Sequence, residues 1–495
     1  MTAEDPSTTV GALPDETNAT PLTPVVLTRL VWVLWLASLG VLLTHVQTGG
    51  SWELSGLLVV DGLTVSMWVV VTFFGGIVHS YSRRYMAGHR RVERFFAGVF
   101  AFTLVVMTLV AADHVALFVI AWLAMGLVMA ALIGHVEGWP QARAAAALAR
   151  RYFLASGAVL ALGLGVLSWS TGATTVSGVV AAADAVPTGV WLVGAGALLL
   201  AAMIQSALVP FHTWLLASMT APTPASALMH AGFVNAGGVL LLRVAPVVTV
   251  HGEFMLLIVV VGAVSALLGK LLKSVQSDVK RTLGCSTVGQ MGFMIMQAGL
   301  GFFGAALAHL VLHGFYKAHR FLSSGSQVEQ TAPKSGSETN ALGVAGVAVT
   351  LTTALVGGWI FTLLTGKGAK ADAGLLLTGL VVLTTMHAAR TTAARTTPSA
   401  AVRFVAIPLV FLPAIALYAA VYRVVGRVLT GVPVVTAPAE LTVVHGLVAV
   451  AFLGAYLAIE TGLYRHSTRL YVALLNATRP PSTTLLTDRE EYDAY

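Results

Sequence analysis

Runs of about twenty apolar residues, parted by short polar or basic gaps, recur from Val25 to the neighbourhood of residue 464. At 1.5 Å per residue each run can cross a ~30 Å hydrocarbon layer as a helix. Fourteen runs can be counted, at 25–47, 58–80, 94–111, 114–134, 145–168, 188–218, 222–246, 253–273, 277–300, 302–324, 341–364, 372–393, 402–428 and 441–464. None shows the ~10-residue alternating segments of a membrane barrel. The pattern predicts an all-α, polytopic transmembrane helix bundle over residues 25–464. Residues 1–24 carry acids, Pro and Thr but no Lys or Arg. They lack the charged start and cleavage site of a signal peptide and read as a disordered N-terminal tail. Residues 465–495 read as a C-terminal tail.

Basic residues collect in alternate gaps: Arg83, Arg84, Arg90, Arg91 and Arg94; Arg143, Arg150 and Arg151; Lys273, Lys280 and Arg281; Arg465, Arg469 and Arg479. If each run crosses once, all these clusters share one side, and the positive-inside rule makes it the cytoplasm. Both termini are then expected there, in a cell-membrane protein. Lys367 and Lys370 fall on the other side and are the exception.

Composition agrees with this pattern. Of 495 residues, 57% are hydrophobic and 10% charged, against roughly a quarter charged in soluble proteins. The net charge of +7 is accounted for by the basic gaps, with no soluble segment to carry a nucleic-acid-binding patch. The single cysteine, Cys285, excludes an internal disulfide and a multi-cysteine metal cluster. No Cys/His cluster stands at metal-ligand spacing, so no metal is expected in this chain.

The sixth run is unusually long and holds Gln205-Ser206-Ala207-Leu208-Val209-Pro210-Phe211-His212. Pro210 removes a backbone donor and frees a carbonyl, which lipid cannot satisfy, so a helix break lining a polar cavity is expected there. Gly357-Gly358 stands at a comparable point of the eleventh run. Runs three to seven (94–246) and eight to twelve (253–393) therefore suggest two five-helix inverted repeats with broken helices.

An ionisable residue within a span costs at least ~2.5 kcal/mol and ordinarily has a task or a partner. The tenth run holds His309, His313 and Lys317, spaced i, i+4, i+8 and hence stacked on one helix face. Bridged by water, such groups could pass protons, since histidine titrates near neutrality and burial lowers a lysine toward it. A hydrogen-bonded polar interface is the plainer reading. His230 in the seventh run and His212 beyond the break are further path candidates, each weighed against a structural role. His387 reads either as an exit group or as an interfacial anchor, with Arg390 beside it. Lys280 next to Asp278 reads as a path residue or a snorkelling pair, and Asp61 as a helix cap. Between Arg151 and Arg243 there is no Lys or Arg, and Asp184 is the only acid.

Several of these stretches resemble the antiporter-like subunits of respiratory complex I and of multisubunit sodium/proton antiporters. They are Gln205–Arg243, Asp278–Glu329 with Gln290-Met291-Gly292, and Asp61-Gly62-Leu63. His230-Ala231-Gly232-Phe233-Val234-Asn235, Arg243-Val244-Ala245-Pro246 and Phe315-Tyr316-Lys317-Ala318-His319 are most similar to the DabB subunits of two-component inorganic carbon transporters. That resemblance implies a subunit passing protons or sodium ions down their gradient to drive a DabA-like soluble partner. The partner would be carbonic-anhydrase-like and hold any zinc.

The chain departs from the wider family's charged pattern. Leu123 stands where a key glutamate follows Trp122, Gln205 replaces a lysine, and Gly157 and Leu160 replace an Arg and an Asp. The path could run mainly through the second half, or use His212, His230 and water, or be weakened. Scarcity of acidic oxygens favours protons over sodium. Three functions stand at this point: the cation-conducting subunit of a carbon pump, an antiporter-like subunit of a dehydrogenase or multisubunit antiporter, and a non-conducting membrane scaffold.

Overall fold

The structure, a computed structural model, describes residues 21–324, 343–395, 400–429, 431–462 and 467–479. Its long helices are α1 (Leu22–Thr48), α2 (Gly62–Tyr85), α3 (Val92–Ala111), α4 (Val115–Ile133), α5 (Pro140–Thr171), α6 (Thr188–Gln205), α7 (Thr223–Arg243), α8 (Gly252–Ser274), α9 (Val279–Gly299), α10 (Phe303–Leu322), α11 (Val344–Thr365), α12 (Ala373–Arg395), α13 (Ala400–Val428) and α14 (Val443–Glu460). Twelve of them are long and apolar enough to cross a membrane. The other two, α9 and α10, have the length, at 21 and 20 residues, but not the apolarity. They carry Lys280, Arg281, His309, His313, Lys317 and Arg320. A helix occupies every predicted span, and the less lipid-like pair includes α10, the helix richest in titratable groups.

α1 begins at Leu22, inside the expected tail; the rest of that tail lies outside the described residues. A short antiparallel hairpin, β1 (Trp52–Leu54) with β2 (Leu58–Val60), is added between α1 and α2. It is tied to the end of α3 through a Leu58–Ala112 bridge.

The sixth span does break. The helix stops at Gln205 and resumes as a single turn, Thr213–Ala217. α7 is interrupted as well, by Gly232 and a 3-10 turn at Phe233–Asn235. The expected counterpart in the eleventh span is absent, since α11 runs unbroken through Gly357 and Gly358. Those glycines serve packing instead: a Cβ on Gly357 would collide with Ile415, and one on Gly358 with Val382. A glycine pair signals a close neighbour as readily as a break.

The same logic sets α8 against α9. Gly262 and Gly269 on α8 face Gly289, Gly292 and Gly299 on α9, and a side chain at any of them would meet the opposing backbone. α7 is almost entirely enclosed, whereas α1, α13 and α14 turn most of their side chains outward. In a bilayer that outward apolar surface is the lipid face. A last helix, α15 (Thr468–Ala477), lies in the expected C-terminal tail. Its Leu474 packs with Leu216, Leu272, Val275 and Cys285, and Gln276 Nε2 donates to Thr478 Oγ1 at 3.0 Å.

Asp61 caps α2, accepting from Thr64 N at 2.9 Å. Its carboxylate is also paired with the Arg243 guanidinium, a partner 182 residues away that the capping reading did not include. Arg243 donates further to Thr64 Oγ1 at 3.1 Å and to Val110 O at 2.8 Å. One guanidinium thus fastens α2, α3 and α7 at one face of the bundle. Burial alone would raise the Asp61 pKa, but the Arg243 charge and the hydrogen bonds outweigh it and hold it below 3.8. Because the folded pKa is depressed, the stabilisation is present above the unfolded value and is lost as pH falls through the folded one. Asp61→Ala is expected to cost about 3 kcal/mol, read as a lower melting temperature in detergent at pH 7. The gap to wild type should narrow as the pH is taken below about 4.

Candidate functional site

α10 sets His309, His313 and Lys317 one above another on the face turned to α7 and α9. The rings of His309 and His313 lie nearly parallel, 14° apart with centroids separated by 5.9 Å, too far for a direct hydrogen bond between them. Lys317 is completely enclosed, at 0% exposure, and its ammonium donates to Leu283 O on α9 at 2.7 Å. The His313 ring also meets the backbone of His230.

Leu283 O is a hub. One turn on, Thr287 Oγ1 donates to the same carbonyl at 3.0 Å and lies 2.9 Å from His230 Nδ1. With the threonine proton committed to Leu283, His230 must carry its own proton on Nδ1. Its Nε2 is then a lone pair, buried and without a protein partner. The ring is held flat against Phe321, at 4.4 Å and 16°. Lys317 of α10 directly, and His230 of α7 through Thr287, thus meet at one carbonyl of α9, with His313 against the His230 backbone.

The file opens at its other end into a cavity of about 550 Å³ between α8, α9, α10, α12, α13 and α14, lined by His309, Gln290, Gln297, Lys270, His387 and Tyr418 among others. Across it, Lys270 Nζ donates to His387 Nε2 at 2.8 Å, and His387 Nδ1 donates to Glu460 Oε1 at 2.6 Å. Arg390 Nε closes the cluster on Glu460 Oε2 at 2.9 Å. His387 is therefore the middle of a lysine–histidine–carboxylate chain rather than a lone anchor. Sequence reading missed Lys270 and Glu460, although Glu460 is the one carboxylate in the fourteenth predicted run.

Other candidates lie apart from this file. Gln205 ends α6 fully buried, with both amide atoms lacking a protein partner. His212, after the break at Pro210, gives Nε2 to Ala477 O of α15 at 3.0 Å, while its Nδ1 has none. Lys280 is not paired with Asp278. Its Nζ donates to Ala221 O at 3.1 Å and Met219 O at 3.4 Å, closing the turn between α6 and α7. Asp278 instead caps α9, accepting from Arg281 N at 2.7 Å. Among the described residues, no three His, Cys, Asp or Glu side chains are grouped to hold a metal ion.

The first half has a more apolar lining at the matching place. Leu123 packs at Gly157, and Trp122 Nε1 donates to Ser156 Oγ at 3.0 Å. Phe153, Trp214 and Phe233 form an aromatic block with centroids 4.7 to 5.7 Å apart. Hydrocarbon fills the space where a charged pair would stand.

A family described as NADH:quinone oxidoreductase/Mrp antiporter, TM matches residues 112–390, and one described as NADH-ubiquinone oxidoreductase (complex I), chain 5 N-terminus matches 47–96. The probable inorganic carbon transporter subunit DabB1 of Halothiobacillus neapolitanus is 40% identical over 295 residues, 58% of this chain and 52% of that protein. NADH-quinone oxidoreductase subunit L of Mycobacterium tuberculosis is 37% identical over 296 residues, 58% and 45% of the respective chains. The chain thus aligns with about half the length of these relatives. In the structure of the Mrp complex from Dietzia sp. DQ12-45-1b, one chain matches with a TM-score of 0.56 at 22% identity, covering 96% of this chain and 53% of that one; the likeness is one of fold.

The hub makes a prediction independent of transport. Thr287→Val keeps the side chain's shape but leaves the His230 Nδ1 proton unpaired inside the bundle. A loss of about 2 kcal/mol is expected, seen as a lower melting temperature of the purified chain in detergent. An unchanged melting temperature would show that His230 is held by something else.

Proposed function

The chain belongs to the NADH:quinone oxidoreductase/Mrp antiporter transmembrane family, and on that premise we propose that it is a proton-conducting membrane subunit that energises inorganic carbon uptake by a partner. The observation that carries the reading is the buried file His230–Lys317–His313–His309, opening on the Lys270–His387–Glu460 chain. Such a set is costly to bury in a membrane, and its unpartnered ring nitrogens are acceptors that a proton could occupy in turn. Only one extra proton need reside in the file at a time. Each occupation changes the local field by a full charge in a low-dielectric interior, where it is felt over many ångströms. The energy reaches the partner by helix contact, with no covalent step in this chain.

Protons suit this site better than sodium. A sodium ion would call for a shell of oxygen ligands, whereas the file offers imidazoles, an amine and one hub carbonyl. The hydrocarbon at Leu123, Gly157 and the aromatic block routes conduction through the second half. It also weighs against a subunit of a respiratory dehydrogenase or multisubunit antiporter, a reading that the family matches and the likeness to subunit L support. A carbon pump calls for a DabA-like soluble subunit carrying zinc, hydrating CO2 in one direction. It further places the chain in the cell membrane with both ends in the cytoplasm, where the basic gaps then lie.

The test is growth at ambient CO2 of a host that lacks carbonic anhydrase, supplied with this chain and its partner. Lys317→Met and His313→Ala are each expected to abolish rescue while the complex still assembles. Proton uptake by vesicles holding the complex should fall at least tenfold in both variants. Full rescue by both would leave only a non-conducting scaffold. Rescue lost without any proton flux in wild type would point to another driving ion.

A further inference from the structure

Between the start of α1 and the end of α2 lies a cavity of about 1140 Å³, apart from the histidine file and the chamber it opens on. One wall is Pro21, Pro24 and Val25, where α1 begins. The other runs along α2 and the turn into α3, from Ser80 to His89. The cavity stands on the face where the basic gaps collect. Because α1 turns most of its side chains outward, the α1 wall adjoins the lipid face.

The opposite wall is cationic. Arg83 and Arg84 lie in the last turn of α2 and both line the cavity. The acids of this region are engaged elsewhere: Glu137 pairs with Arg91 and Arg94, and Glu93 accepts from Thr23 Oγ1 at 2.8 Å. Among the described residues no carboxylate pairs with Arg83 or Arg84. Beside them the rings of Tyr81, Tyr85 and His89 form a stacked ladder, with successive centroids 5.7 and 6.5 Å apart. Tyr85 OH donates to Thr223 Oγ1 at 3.2 Å, which ties the ladder to the start of α7. Ser80 Oγ accepts from Trp32 Nε1 at 3.0 Å and joins the two walls one turn deeper. Topology alone calls for positive charge in the gap. It does not call for a walled cavity with unneutralised guanidinium groups on one side and the lipid face on the other.

We propose that this cavity binds an anionic phospholipid, its phosphate held by Arg83 and Arg84 and its acyl chains leaving along α1. Guanidinium groups match phosphate oxygens in paired, charge-assisted hydrogen bonds, and basic pockets between helices at a membrane surface favour acidic headgroups. Val25, Val92 and Phe96 supply apolar lining on the way to the bilayer. A free phosphate would use the arginines but leave that apolar lining uncovered. The site is independent of the conducting role.

The test follows the melting temperature of the full chain, purified in a neutral detergent, as phosphatidylglycerol, phosphatidylcholine or inorganic phosphate is added. Phosphatidylglycerol is expected to raise it saturably, and the other two to leave it unchanged. Two variants attack the site: Arg83→Gln combined with Arg84→Gln, and Ala87→Glu, which sets a carboxylate on the exposed turn lining the cavity. Each should weaken the apparent affinity for phosphatidylglycerol at least tenfold, while melting within a few degrees of wild type without lipid. Arg90→Gln combined with Arg150→Gln removes the same charge from exposed positions outside the cavity and should keep the wild-type response. Equal weakening in that control would show diffuse surface attraction and overturn the proposal. An equal response to inorganic phosphate overturns it in favour of a soluble anion. A wild-type response in either site variant, or none in the wild type, overturns it outright.

Discussion

A lysine sealed inside a membrane bundle with a single carbonyl for a partner is the constraint around which this molecule is arranged. Lys317 is fully enclosed, and among the described residues its ammonium hydrogen-bonds Leu283 O alone, at 2.7 Å. A fixed charge there, with no counter-ion, would be among the most costly features of the fold. Three helices converge to make it tolerable: α10 supplies the amine, α9 the carbonyl, and α7 the histidine that shares the Leu283–Thr287 hub. The interruption of α7 lies just past His230, and irregular backbone at membrane depth persists only where protein or trapped water satisfies it.

The two halves of the chain have diverged in solvent as much as in sequence. In the first, hydrocarbon and aromatic rings fill much of the interior, with the Trp122 indole donating to Ser156. In the second, glycine contacts bring α8 and α9 together at backbone distance, which leaves room on their other side for a cavity of about 550 Å³. Histidines and lysines face that space from three helices, with the Glu460 carboxylate of a fourth behind His387. A path confined to one half needs fewer buried charges and offers a partner one place to read them.

α15 adds a link at the mouth of the first half. It meets His212 just past the helix break, at 3.0 Å, and Gln276 at the end of α8. The segment between the sixth and seventh spans, tied by Lys280 to α9, is thereby braced from two sides. The broken region is not a loose hinge but a clamped one.

By itself the sequence determined the helical membrane class, the placement of the long helices, the break near Pro210 and the stacking of His309, His313 and Lys317. All of these follow from local periodicity, from the reach of a helix across a bilayer and from the 3.6-residue turn. Only the tertiary structure decided which distant groups share a proton or a charge. Arg243 on Asp61, Glu460 on His387, Lys280 on the 219–221 carbonyls and Lys367 between the Phe302 and Tyr422 rings are contacts between segments far apart in the chain, and no local pattern encodes them. The Gly357–Gly358 pair shows the same limit from the other side: glycine permits a break or a close approach, and the neighbours Ile415 and Val382 made it the second.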